Sequence, residues 1–139
     1  MELKEIERLA EREYPNTVKW RRHFHMYPEL SFQEVQTPGY IAQFLRELGL
    51  DVREGVGGRG VVGKLIVDES LPTVALRADF DALPIQDEKE ASYKSTVPGV
   101  MHACGHDAHT AIVMTAAKIL TEQKDTLKGN VVFIFQHAE

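Results

Sequence analysis

Residues 101–110 read Met-His-Ala-Cys-Gly-His-Asp-Ala-His-Thr, which puts His102, Cys104, His106, Asp107 and His109 within eight consecutive positions. Cys104 is the only cysteine of the chain, and three of its six histidines lie in this window. Thiolate, imidazole and carboxylate are the donor set of zinc- or manganese-type divalent ions. Cys104 and His106 flank Gly105, and residues two apart in extended chain project to the same side. Glycine accepts the sharp turn that would aim both at one ion. These two are read as metal ligands. Taken alone, Cys104 would be a buried small hydrophobe, but that reading leaves the surrounding imidazoles unexplained. His102 and His109 are read as imidazoles that support the site or the fold, not as direct ligands.

Two further polar clusters follow apolar runs. Asp79-Phe80-Asp81 follows residues 73–78, and His137-Ala138-Glu139 follows residues 131–135. Ligands of open α/β sheets bind at the carboxyl ends of the strands, so these clusters and the Cys104-Gly105-His106 turn can share one crevice. Asp81 is read as a carboxylate that orients a ligating imidazole. Asp79 stays open between a strand-end cap and a carboxylate of the metal site. Glu139, at the end of a core strand, is the candidate general base for a hydrolysis. His23 and His25 are two apart in a helical stretch and do not share a face. They are read as packing and hydrogen-bonding groups.

The elements that must position these groups follow from periodicity. Leu3, Ile6, Leu9 and Ala10 predict an amphipathic helix, interrupted by Pro15 and followed by a second helical stretch over residues 18–26. Ser31 with Glu34 has the spacing of a capping box for a third helix. Its apolar face is Ile41, Phe44, Leu45 and Leu48, and Gly49 stops it. Residues 60–67 and 73–78 read as strands. Residues 107–123 return to helical spacing with Asp107 as N-cap, and residues 131–135 read as a buried strand. This order predicts an α/β domain around a central sheet.

Hydrophobic residues make up 43% of the 139 and charged residues 27%, an ordinary globular composition for one modest domain. The net charge of −5 has no long run of one sign, so no nucleic-acid footprint and no anionic-membrane anchor is expected. A single cysteine forms no internal disulfide and fits a reducing cytoplasm. Because a core strand is followed at once by the last residues, the chain is read as the front portion of a longer protein.

Four motifs in order carry a family resemblance: Arg-Arg-His-Phe-His-Met-Tyr-Pro-Glu-Leu-Ser-Phe-Gln-Glu (21–34), Leu-Arg-Ala-Asp-Phe-Asp-Ala-Leu-Pro (76–84), the 101–110 segment, and Gly-Asn-Val-Val-Phe-Ile-Phe-Gln-His-Ala-Glu (129–139). Together they closely resemble the metal-dependent amidohydrolases that include bacterial N-acyl-amino-acid amidohydrolases, hippurate hydrolases and plant auxin-conjugate hydrolases. The resemblance implies a central mixed sheet flanked by helices. It makes residues 1–139 the N-terminal part of a two-metal, aminopeptidase-like catalytic domain, with a lid or dimerisation domain elsewhere in the full protein. It implies Cys104 and His106 as ligands of two divalent ions (Mn, Zn or Co), Glu139 as general base and Asp81 as support of the metal site. The implied substrate is a small N-acyl amino acid. The implied partner is a second copy, bound through the lid.

Two rival readings remain at this level. Cys104 could act as a nucleophile paired with His102 or His106, or the chain could be a non-enzymatic metal-binding α/β fragment.

Overall fold

Pro15 lies inside the first helix. The computed structural model describes residues 1–139, and α1 runs unbroken from Leu3–Met26. The expected interruption is therefore corrected. Proline removes one helix hydrogen bond and crowds the preceding turn, but contacts on both sides of it hold the two halves in line. Arg12 pairs with Glu122, buried Glu13 accepts from Lys118 Nζ at 2.6 Å, and the Thr17 and Thr115 hydroxyls meet at 2.6 Å. All three partners belong to one later helix, so tertiary packing outweighs the local penalty.

The second helix, α2 (Gln36–Glu47), does not use the predicted capping box. Ser31 and Glu34 are engaged elsewhere. The cap is the Glu29 carboxylate, which accepts the N–H groups of Val35, Gln36 and Thr37 at 2.9, 3.0 and 2.6 Å. Three of the otherwise orphaned N–H groups of the first turn are satisfied by one side chain. Pro38 sits in that same turn, where a missing N–H leaves no gap. Ile41 and Leu45 are fully buried, and Phe44 and Leu48 pack against the same core at partial burial, as the apolar spacing predicts.

Four strands follow: β1 (Asp51–Val56), β2 (Gly60–Leu65), β3 (Thr73–Asp79) and, after helix α3 (His106–Glu122), β4 (Asn130–Gln136). They form one mixed sheet in the order β1-β2-β4-β3, antiparallel except for the β4–β3 pair. β1 was not expected from the sequence. β2 stops short of Val67, because the Val67 and Asp68 N–H groups turn to the side chain of buried Asn130. Phe24, Ile41, Leu45, Val61, Met114, Phe133 and Phe135 form the core between the helices and the sheet.

The β3–α3–β4 crossover sets the position of the site. Parallel strands joined through a helix point their carboxyl ends the same way. The register runs from Thr73 opposite Asn130 to Asp79 opposite Gln136. The residues after Asp79 and after Gln136 therefore emerge side by side, next to the start of α3.

Candidate metal centre

The site is assembled at that edge. Asp79 closes β3 and is 3% exposed. The Phe80 N–H still reaches the Gln136 carbonyl at 3.0 Å, which carries the ladder one residue further and fixes where Asp81 leaves the sheet. α3 begins at His106, and its N-cap is Gly105 at φ +82. This corrects the reading of Asp107 as N-cap: glycine takes the left-handed turn without the steric penalty a Cβ would bring. With the helix starting at His106, His109 stands three residues on, on the same face.

Asp79, His106 and His109 each offer a ligand atom, and these atoms all lie within 4.8 Å of one another. His106 Nε2 is 3.6 Å from Asp79 Oδ2, and His109 Nδ1 is 2.7 Å from Asp79 Oδ1. The two imidazoles stack with centroids 5.6 Å apart. A buried carboxylate between two imidazoles is a donor set for zinc or manganese, so the residues present fit such an ion. The other nitrogen of His106, Nδ1, is bonded to Asp81 Oδ1 at 2.9 Å and faces the Asp81 carbonyl at 3.0 Å. That bond leaves Nε2 free toward the cluster, an arrangement that fixes ring orientation and tautomer at metal sites.

Asp81 ties three segments together, its own strand end, the start of α3 and the loop at Ser31. Burial pushes its carboxyl pKa up, but hydrogen bonds from Ser31 Oγ (2.8 Å) and with His106 outweigh this and hold it below the usual range. Glu139 itself is exposed, directly after Ala138, whose φ is +47.

The other candidates fall away from the cluster to different degrees. Cys104 is exposed and is not one of the three clustered donors. It has no hydrogen bond to an imidazole, and the Nδ1 atoms of His106 and His109 are committed to aspartates. A thiol nucleophile needs a base within hydrogen-bond reach, so the nucleophile reading loses its support. His102 is 4% exposed and neither ring nitrogen has a partner. Burial pushes its pKa down to about 4, which keeps it neutral. Asp107 accepts from His25 Nδ1 at 2.7 Å and pairs with Arg21 Nε at 2.9 Å through one oxygen. His25 is thus a buried hydrogen-bonding group and His23 stacks on Tyr40 at 4.3 Å, as read from their spacing. His109, read only as a supporting group, stands among the clustered donors. Its signal in the sequence was the His106–His109 spacing, hidden by placing the helix start one residue late.

The mixed α/β sheet thus carries a carboxylate–imidazole cluster able to hold a divalent ion at the carboxyl end of its parallel pair. Residues 75–139 match the model of peptidase family M20/M25/M40. Over these residues the chain resembles that family. It is 57% identical over 136 residues to the Bacillus subtilis (strain 168) protein YhaA, covering 98% of this chain and 34% of that one. It is 43% identical over its full length to an N-acyl-L-amino acid amidohydrolase of Geobacillus stearothermophilus, of which it covers 38%. Its structure superposes on a dinuclear metal binding peptidase from the M20 family of Bacillus subtilis with a TM-score of 0.86 at 42% identity, covering 93% of this chain and 36% of that one. The chain thus spans about a third of the length of the curated relatives it matches. No helix is long and apolar enough to cross a membrane.

Proposed function

We propose that this chain is the N-terminal portion of the catalytic domain of a two-metal hydrolase. Its reaction is cleavage of the amide bond of N-acyl amino acids or related small amides. The observation that carries the reading is the Asp79–His106–His109 donor cluster where β3, β4 and α3 meet. The substrate class is supported by relatives named as an N-acyl-L-amino acid amidohydrolase, an N-acetyl-L-cysteine deacetylase and an IAA-amino acid hydrolase.

In this reading His106, through Nε2, and Cys104 are ligands, Cys104 on the strength of its spacing from His106. Asp79 and His109 add donors, and Asp81 holds the His106 ring. The chemistry supplied by bound Mn, Zn or Co ions is Lewis acidity at the scissile carbonyl and a lowering of the pKa of water to about 7. Glu139 takes the proton of the attacking water and delivers it to the departing amine nitrogen. The remaining ligands, and a lid through which two copies associate, belong to the rest of the full-length protein, which works in the cytoplasm.

The test is Glu139→Gln in the full-length protein. Loss of a general base lowers kcat by about 10²–10⁴-fold, while metal content and KM should hold. Activity within about threefold of wild type removes Glu139 from the role.

A further inference from the structure

Glu34 is a carboxylate with 0% exposure whose side chain makes one hydrogen bond: Oε1 accepts the Ala138 backbone N–H at 3.0 Å. Its second oxygen has no hydrogen-bond partner, and the nearest cation, Arg59 Nε, stands 4.0 Å from it. Arg59 instead donates from Nη1 to the Glu34 carbonyl at 2.7 Å. Burying a carboxylate with so little compensation works against stability. A role in packing does not account for it.

The position of its one partner does. Ala138 adopts φ +47, a left-handed conformation that an alanine avoids unless its surroundings impose it. The next residue is Glu139. The one buried carboxylate bonded to this turn, Glu34, thus holds the N–H immediately before it, at the exit of β4. The loop that carries Glu34 is also joined to the site by Ser31, which donates to Asp81 at 2.8 Å, and by Phe32, which meets the His137 ring edge-on at 6.0 Å.

We infer that Glu34 is a positioning residue for Glu139: its carboxylate clasps the Ala138 N–H and imposes the turn that presents the Glu139 side chain. This rests on the reading of Glu139 as the base. Glu34 touches no substrate. It acts through the backbone.

The experiment uses the full-length protein with Glu34→Met, which keeps the volume and removes the acceptor, and Glu34→Gln, which keeps an acceptor oxygen. Amide hydrogen exchange is read on the peptide covering residues 136–139, alongside kcat, KM and metal content. In the wild type the Ala138 amide should be protected by about 100-fold or more; free exchange overturns the proposal without any variant. Glu34→Met should lose that protection and lower kcat by about 10-fold or more at unchanged KM and metal content, the signature of misplacement and not of lost binding. Glu34→Gln should restore both. Adding Ala138→Gly to Glu34→Met should recover part of kcat, because glycine takes the left-handed turn unaided. Unchanged protection and kcat in Glu34→Met overturn the clasp, as does a Glu34→Gln no better than Glu34→Met. If Glu139→Gln is inactive while Glu34→Met is normal, only the clasp fails. If Glu139→Gln is active, the base assignment fails, and the exchange data still decide whether the clasp exists.

Discussion

His106 divides its two nitrogens between two tasks. Nδ1 is held by Asp81 and Nε2 faces Asp79. Asp81→Asn should therefore weaken metal binding by about 10–100-fold in the full-length protein, measured by titration with Zn²⁺ or Mn²⁺; unchanged affinity would mean that the ring is oriented by packing alone. Cys104→Ala and His106→Ala should each lower metal stoichiometry as measured by elemental analysis. Equal metal content in both would remove them as ligands. The site was legible in part at this scale. The dense 101–110 segment marks itself by residue type, and Asp81 by its position after a strand. Asp79 and His109 were less visible because their relation depends on one residue of helix start. A helix that begins at Asp107 leaves His106 outside it, and only a start at His106 brings both imidazoles to one face.

Among the elements, the entrance to α2 shows where local patterns mislead. Ser31 and Glu34 have the capping-box spacing, but both point into the site, and the cap comes from Glu29, outside any standard spacing. Burial pushes the Glu29 carboxyl up, and the N–H groups of Thr37, Val35 and Gln36 more than offset this, so its pKa lies below the usual 4.5. The sign follows from linkage. A carboxyl depressed in the folded state stabilises it above pH 4.5, and the contribution disappears as pH falls through the folded value. Glu29→Ala should cost about 1 kcal/mol of stability at neutral pH, as loss of an N-cap does. Glu29→Gln should flatten the loss of stability below pH 4.5 in chemical denaturation; an acid limb identical to wild type would exclude Glu29 as its source. β1 escaped sequence reading for a different reason. Five of its six residues are exposed, so it lacks the half-buried alternation that marks a strand, and its pairing with β2 holds it in place. The uninterrupted apolar run of β4 was legible because that strand lies inside the sheet.

At the scale of the molecule, the two outer strands are β1 and β3. The β3 edge carries exposed Thr73, Val74 and Ala75, with Val74 at 59% exposure. An unpaired apolar edge is a template for pairing with another chain. The isolated 139-residue polypeptide should therefore self-associate, and Val74→Lys should shift it toward monomer in size-exclusion chromatography with light scattering. A monomeric wild type would show that the edge is already protected. The same polypeptide, given Mn²⁺ or Zn²⁺ and N-acetyl or N-benzoyl amino acids, should show no turnover, because a two-metal site needs more ligands than it offers. Turnover by the monomer that vanishes in Cys104→Ala would reverse that expectation. The overall architecture could be read from the chain because helical and strand periods alternate clearly after residue 60. The convergence of the β3 and β4 ends depends on a crossover that no local pattern encodes.

The clasp between Glu34 and Ala138 also has a consequence in time. Its partners are 104 positions apart. At a synthesis rate of about 5–20 residues per second, Ala138 is made roughly 5–20 s after Glu34. Helix formation takes about a microsecond, but the two halves of α1 are aligned only once α3 has been made, and until β4 follows the Glu34 carboxylate stays in water. Desolvation of that carboxylate must wait for β4 to enter the sheet. The turn at Ala138 therefore cannot be set before β4 has been made and has entered the sheet.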